Sequence, residues 1–273
     1  MRELSVLIPT YNRNEALAVT LTSLAFQEYK DFDIIIADQS TDENLLKSDV
    51  SLQTVISLLN TRGHKVTIYR NMPFRGMAQQ RQFLLEKTAT PYCLYLDDDL
   101  ILESYSVRIM IETIKKEKCG FVGCAVIGLS YIQDIRPHQQ HVEFWDNQVE
   151  PELVLPKTEK WERYKLHNAA NLWHVQQKYC ITHLNPRTYK VAWVGGCALY
   201  DTQKLNDVGG FTFWEQLPEK HCGEDVLAQL RVMEQFGGCG VMPSGVYHQE
   251  LKTTIPERDF NAPEYLFKVM SNV

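Results

Sequence analysis

Short apolar runs punctuate the first half of the chain, and segments of helical periodicity lie between them. Leu4–Ile8, Asp33–Ala37, Val66–Tyr69, Tyr92–Leu96 and Phe121–Leu129 are bounded by polar or turn residues and predict buried strands. After the first run, Asn14 is placed to cap a helix that carries Leu17, Leu21, Leu24 and Ala25 on one face. Leu45–Leu59 and Met77–Lys87 predict further helices, and Val107, Met110, Ile111 and Ile114 mark an amphipathic one. Alternating strands and helices predict an α/β fold with a mainly parallel central sheet flanked by helices.

The alternation stops near Ser130. Residues 129–190 are polar yet aromatic-rich, and Trp145, Trp161 and Trp173 fall within them. Linkers lack such aromatics, so this segment predicts an elaboration of short helices and loops. Val191–Tyr200 then reads as a strand interrupted at Gly195-Gly196. Asp225–Phe236 reads as a helix ended by Gly237-Gly238, and Val241–His248 as a last strand. Ile255–Val273 is a tail without an assignable role. One domain is expected, with a first half over 1–128, the elaboration over 129–190 and a second half over 191–273.

Polar residues cluster where the predicted strands end. The Tyr92–Leu96 run stops in three carboxylates, Asp97-Asp98-Asp99. In an open α/β sheet, ligands bind beyond the carboxyl ends of the strands. Adjacent carboxylates repel unless a cation or donors compensate them, and a hard cation with a diphosphate suits oxygen ligands. A plainer reading is an acidic turn with one Asp as a helix cap. Pro9-Thr10-Tyr11-Asn12-Arg13 and Asp38 follow two other strands. If the three strands are parallel neighbours, their loops converge on one crevice.

Composition narrows the function. Of 273 residues, 28 are Lys or Arg and 34 are Asp or Glu, a net charge of −6, which argues against nucleic acid as a partner. Seven cysteines form no C-x-x-C pair, and the simplest compartment is a reducing cytosol. The first apolar run is too short for a signal peptide, and no stretch approaches the ~20 residues of a membrane span. A cytoplasmic location is expected, with peripheral contact at the inner face of a membrane left open.

Six motifs in order resemble the family 2 glycosyltransferases. Pro9–Arg13 is similar to the family's opening loop, and Asp38-Gln39-Ser40-Thr41-Asp42 to its second-strand motif. Gly76 with Gln80-Arg81-Gln82 resembles the G-x-x-x-A-R-N helix, although Gln80 and Gln82 stand where Ala and Asn are usual. Asp97-Asp98-Asp99 resembles the D-x-D motif, with Leu100 where a fourth carboxylate often follows. Gly195–Leu199 resembles the acceptor-side glycine strand, and Gly223-Glu224-Asp225 the E-D motif.

The resemblance implies a GT-A fold and transfer of a sugar from a nucleoside-diphosphate donor to a hydroxyl of a glycan, polysaccharide or lipid-linked sugar, usually with inversion. It implies that Pro9, Thr10, Tyr11, Arg13 and Asp38 line the nucleotide pocket, that Asp97 or Asp98 reaches the ribose or a metal-bound water, and that Asp99 holds Mg²⁺ or Mn²⁺. His248 is a candidate second ligand, because some GT-A enzymes place a C-terminal His there. Asp225 is the implied general base, with Glu224 positioning the acceptor.

The chemistry wants these groups. Breaking the anomeric bond builds positive charge on the ring, a divalent ion stabilises the leaving diphosphate, and a carboxylate base gives about 10²–10⁴-fold. Arg75, Gly76 and Arg81 are placed for the diphosphate, with a structural ion pair as the alternative for Arg81. Gly195, Gly196 and Trp214 are expected at the acceptor. Two alternatives stay open: a retaining transferase on the same fold, and a non-catalytic sugar-nucleotide or carbohydrate-binding protein. A sugar-1-phosphate nucleotidyltransferase would need a glycine-rich first loop, and a dehydrogenase a G-x-G-x-x-G after a strand; neither is present.

Overall fold

A computed structural model describes residues 2–254, 256 and 259–270. Parts of the predicted tail, at 255, 257, 258 and 271–273, lie outside the described residues.

In chain order the elements are β1 (Leu4–Thr10), α1 (Asn14–Ala25), β2 (Phe32–Asp38), α2 (Leu45–Ser48), α3 (Val50–Thr61), β3 (Val66–Arg70), α4 (Met77–Glu86), β4 (Tyr92–Leu96), β5 (Leu100–Leu102), α5 (Ser106–Glu117) and β6 (Phe121–Gly123). The elaboration contributes 3₁₀ turns, α6 (Asn171–Lys178) and β7 (Arg187–Tyr189). The chain continues through β8 (Cys197–Asp201), α7 (Thr202–Asp207), α8 (Glu224–Phe236), β9 (Gly238–Met242), β10 (Val246–His248) and α9 (Ala262–Met270).

The described residues form an eight-stranded sheet in the order β3-β2-β1-β4-β8-β6-β9-β7, and β10 pairs with β5 in a small second sheet. β3, β2, β1 and β4 are parallel, β8 runs antiparallel between β4 and β6, and β7 closes the far edge against β9. The α/β expectation therefore holds, and β2, β1 and β4 are the parallel neighbours that bring their polar loops to one edge.

The core follows the apolar pattern. Leu17, Leu21, Leu24 and Ala25 of α1 are fully buried, as is Met110 of α5. Strands buried on both faces read as continuous apolar runs, and β1 shows this most plainly. Helices cover the sheet, and α9 packs on α8.

Five boundaries differ from the sequence pattern. The Leu45–Leu59 helix is two helices, because Asp49 is extended and its side chain accepts the Leu52 amide at 2.8 Å, starting α3 afresh. Asn14 is the first residue of α1, not its cap, and its amide binds Asp49 instead. The predicted strand over 191–200 begins only at Cys197, since Gly196 turns with φ +77°. Val241–His248 divides between β9 and β10, which belong to different sheets. Residues 124–129 leave the sheet after β6, whereas β5 and β7, of three residues each, are too short to show a periodicity.

The elaboration is anchored by charge as well as by packing. Arg163 lies between Glu143 and Glu152, with contacts of 2.8 and 2.6 Å. None of the seven cysteines is in a disulfide.

Candidate active site

Thr10, Asp97 and the two carboxylates after it sit where β1 and β4 run out, and α8 begins beside them. A cleft of about 630 Å³ opens there. Pro9, Thr10, Tyr11, Arg13, Arg81, Asp97, Asp98, Asp99, Gly195, Gly196, Glu224, Asp225 and His248 all line it.

Charge dominates the floor. Five carboxylates, Asp97, Asp98, Asp99, Glu224 and Asp225, face two arginines. Arg81, on α4, is buried and donates from Nε to Glu224 at 3.0 Å and from Nη2 to Asp97 at 3.1 Å. Burial alone would depress its pKa, but Glu224, Asp97 and Asp225 outweigh that and raise it. Its guanidinium is thus committed to two carboxylates, and the ion-pair alternative describes it in this structure. Tyr95 helps hold it, donating its hydroxyl to the Arg81 carbonyl at 2.7 Å.

Arg13 donates to Asp98 at 3.4 Å and to Asp99 at 2.5 Å, and also reaches the Lys252 carbonyl. Asp98 turns inward, where its Oδ2 accepts the Thr10 hydroxyl at 2.7 Å. Burial pushes its pKa up to about 6, with Thr10 and Arg13 pulling the other way. Asp97 stays open to the cleft, with 39% of its side chain exposed, and burial raises its pKa against the pull of Arg81.

Asp225 is the most perturbed carboxylate with a wet face. Burial, then the neighbouring Glu224 charge, push it up to about 7, while Arg81 opposes the rise and Asp97 adds to it. Its Oδ1 accepts the Val226 amide at 2.9 Å, and its Oδ2 points toward Gly195, 4.0 Å from where a Cβ would stand. Gly195 therefore leaves open the space in front of the carboxylate.

A carboxylate surplus is what a hard cation neutralises. Asp99 Oδ2 lies 3.5 Å from His248 Nε2, so an oxygen and a nitrogen face one point. Among the described residues no three His, Cys, Asp or Glu side chains form a metal-holding group. Asp99 and His248 are the side chains that could hold a Mg²⁺- or Mn²⁺-type ion, with water and phosphate as its other ligands. In this structure Asp99 Oδ2 accepts from Arg13 at 2.5 Å and His248 Nδ1 accepts the Glu250 amide at 2.6 Å, so a cation would have to displace the first and shift the imidazole tautomer.

Four expected residues do not line the cleft. Asp38 is buried at the end of β2, register partner of Thr10, where it pairs with Arg70 at 3.0 Å and accepts the Ser40 amide at 2.8 Å. Arg75 is exposed. Trp214 sits on a 3₁₀ turn over Thr212–Gln216 and packs against the core. Gly76 is buried against His221: a Cβ there would meet His221 Cε1 at 2.5 Å, and its φ of +89° suits glycine.

His221 carries no signal in the sequence, where it is a lone His before the E-D motif. It lines the cleft and caps α4 from outside the helix. Its Nε2 accepts the Ala78 amide at 3.0 Å and its Nδ1 bonds the Pro218 carbonyl at 2.7 Å. The tautomer with its proton on Nδ1 satisfies both. The loop that leads into α8 at Glu224 and the helix that carries Arg81 are joined twice, once by this imidazole and once by the ion pair. Tyr164, His167, Asn168 and Trp193 complete the cleft wall, together with Leu251, Thr253 and Thr254 after β10.

Known proteins resemble this chain in sequence and in fold. The chondroitin synthase of Escherichia coli is 29% identical over 264 residues, covering 90% of this chain and 34% of that protein. The teichoic acid poly(glycerol phosphate) polymerase of Staphylococcus epidermidis is 29% identical over 119 residues, 41% of this chain and 15% of that protein. The chain spans between 15% and 34% of the length of the curated relatives it matches. Among solved structures, S. aureus TarS 1–349 with UDP-GlcNAc superposes with a TM-score of 0.61 at 14% identity, over 98% of this chain and 64% of that one. The mannosyltransferase PcManGT of Pyrobaculum calidifontis, with GDP-Man and Mn²⁺, gives 0.59 at 13%, over 93% and 59%. These structures share the GT-A fold. The model of glycosyl transferase family 2 matches residues 5–185, and this glycosyltransferase chain belongs to that family.

Proposed function

We propose that the chain moves a sugar from a nucleoside-diphosphate sugar to a hydroxyl of a glycan or lipid-linked acceptor, with inversion, using Mg²⁺ or Mn²⁺ and Asp225 as the general base. The observation that carries this is the pairing, in one cleft, of Asp99 and His248 on one side with a raised, partly open Asp225 on the other. Solved neighbours in complex with UDP-GlcNAc, or with GDP-Man and Mn²⁺, support a nucleotide-sugar donor and a divalent ion. The relatives' names span glycan and polyol-phosphate polymers.

Asp99 and His248 would hold the cation, which supplies charge for the departing diphosphate. Thr10 and Tyr11 line the donor side, with Asp38 ordering the adjoining strand end. Asp225 takes the acceptor proton at its Oδ2, in the space that Gly195 leaves. A base whose pKa lies near neutrality combines a large ionised fraction with real proton affinity. Residues 1–128 then serve the donor and 191–273 the acceptor and catalysis, with 129–190 closing the acceptor wall.

The test separates the two sides. Asp99→Ala is expected to abolish metal-dependent nucleotide binding in calorimetry. Asp225→Asn is expected to keep that binding and lose transfer by about 10²-fold or more. NMR of the product's anomeric centre checks inversion. Wild-type transfer by Asp225→Asn would overturn the assignment of the base.

A further inference from the structure

Part of the wall of the cleft that holds Asp225 is aromatic. Tyr164 and Trp193 both line it, with ring centroids 5.2 Å apart and planes within 13°. Trp161 backs Trp193 at 4.4 Å. Trp193 is held in register with the base: the Val194 amide donates to Gln229 at 2.7 Å and Gln229 returns a 2.7 Å bond to the Val194 carbonyl. Gln229 lies one turn of α8 beyond Asp225 and is fully buried. His167 ties the segment that carries Tyr164 to β7 and the chain that follows it, with a 3.0 Å contact to the Tyr189 hydroxyl and a bond to the Trp193 backbone. Burial pushes His167 down to about 4, so it is neutral near pH 7.

We propose that the outer face of Tyr164, stacked on and backed by Trp193, is a platform for a pyranose ring of the acceptor, and that this platform selects a sugar-terminated acceptor over a polyol phosphate. The inference rests on the glycosyltransfer reading above and adds the acceptor's chemical class. Aromatic faces are electron-rich and attract the axial C–H groups of a pyranose while its hydroxyls point elsewhere. A flexible polyol phosphate offers no such face and calls for a cation. Among the described residues lining the cleft, the Arg and Lys side chains are Arg13 and Arg81, and both are already engaged by the carboxylates. This part of the wall offers rings, a neutral imidazole and the Asn168 amide.

The test uses the full chain with Mn²⁺ and UDP or GDP, whichever binds. Saturation-transfer NMR from the aromatic protons is recorded for methyl β-D-glucopyranoside, methyl β-D-galactopyranoside, their 2-acetamido analogues and sn-glycerol 3-phosphate. At least one pyranoside is expected to bind and glycerol 3-phosphate to give no transfer. Trp193→Leu, which keeps apolar volume but removes the ring that backs Tyr164, and Tyr164→Ser are each expected to weaken the pyranoside by about tenfold, 1.4 kcal/mol. Trp193→Phe is expected to stay within about threefold, and nucleotide affinity to stay within twofold throughout. Binding of glycerol 3-phosphate in place of the pyranosides, no pyranoside binding beside intact nucleotide binding, or pyranoside affinity untouched in Trp193→Leu and Tyr164→Ser each overturns the platform alone. A chain that binds neither nucleotide overturns the glycosyltransfer reading as well.

Discussion

Replacing Asp225 by Asn is expected to make the protein more stable while disabling it, and the gain should depend on pH. The Asp225 carboxyl has a pKa near 3.8 in an unfolded chain and about 7 in this cleft. Below the lower value both states are protonated and the group contributes nothing to pH dependence. As pH rises toward 7 the unfolded chain has lost the proton while the folded chain keeps it, so folding weakens; above 7 the penalty is complete. The span of about three units sets a ceiling of about 4 kcal/mol at 1.36 kcal/mol per unit. Asp225 has a wet face and Arg81 responds to it, so a gain of about 1–2 kcal/mol at pH 8 is expected, falling toward zero near pH 4. Asn keeps an oxygen for the Val226 amide, so the helix start is not disturbed. Urea unfolding of both proteins at pH 4.5, 6, 7 and 8, without nucleotide or metal, reads the difference directly. A variant less stable than wild type at pH 8, or a gap that does not widen from pH 4.5 to 8, would refute the claim that the fold strains this carboxylate.

The same carboxylate sets the rate profile: wild-type kcat/KM is expected to rise with pH through about 7, and a flat profile from pH 5.5 to 8 would exclude Asp225 as the base. Asp99→Ala should raise the dissociation constant of Mn²⁺ at least tenfold in calorimetry, since it removes the oxygen facing His248. Arg81→Ala leaves Glu224 and Asp97 without a counter-charge in a buried setting and should cost about 3–5 kcal/mol in urea unfolding; Arg81→Lys should recover only part, because one ammonium cannot span both carboxylates as the fork does. His221→Ala removes the outside cap of α4 and should lower stability by about 1 kcal/mol, read in the same experiment.

Much of this site is legible in the sequence because parallel strands advertise themselves. β1, β2 and β4 are buried on both faces, so each reads as an apolar run with an abrupt polar end, and those ends hold Thr10, Asp38 and Asp97–Asp99. Glu224 and Asp225 are legible from their order after Gly223. What is not legible is pairing. Arg81 carries no mark in the sequence that tells a phosphate ligand from a partner of Glu224, 143 residues away. Closeness in sequence to Glu224 favours Trp214 as an acceptor contact, yet the turn at Thr212–Gln216 packs it against the core. Trp193 and Tyr164 meet at the cleft because the elaboration folds back across it, a tertiary event with no local periodicity. The split of 241–248 has the same origin: β9 and β10 each look like strand, and only their different partners separate them.

The direction of β8 explains how one edge of the sheet gathers the carboxylate loops and the start of α8. β1, β2 and β4 end at that edge, so the loops after them deliver Thr10, Arg13 and Asp97–Asp99. β8 runs the other way beside β4, pairing Leu96 with Cys197, so it begins where β4 ends. The residues before it, from Trp193 to Gly196, therefore arrive at the same edge from the opposite sense, and the Asp97 amide donates to the Gly196 carbonyl at 2.9 Å. Gly196 lets the chain turn into the sheet at that point: its φ is +77°, and a Cβ there would stand only 2.8 Å from the Val126 side chain. A fifth parallel strand at this position would end at the cleft and contribute another loop like the first three. An antiparallel one contributes its entrance, and that entrance is bolted by Gln229 to the helix that carries Asp225. Strand reversal next to β4 is thus what sets an aromatic wall and Asp225 opposite three carboxylates, and it does so through the Asp97–Gly196 backbone bond and the Gln229 side-chain bonds to the Val194 backbone, which no substitution of a ring at the wall removes.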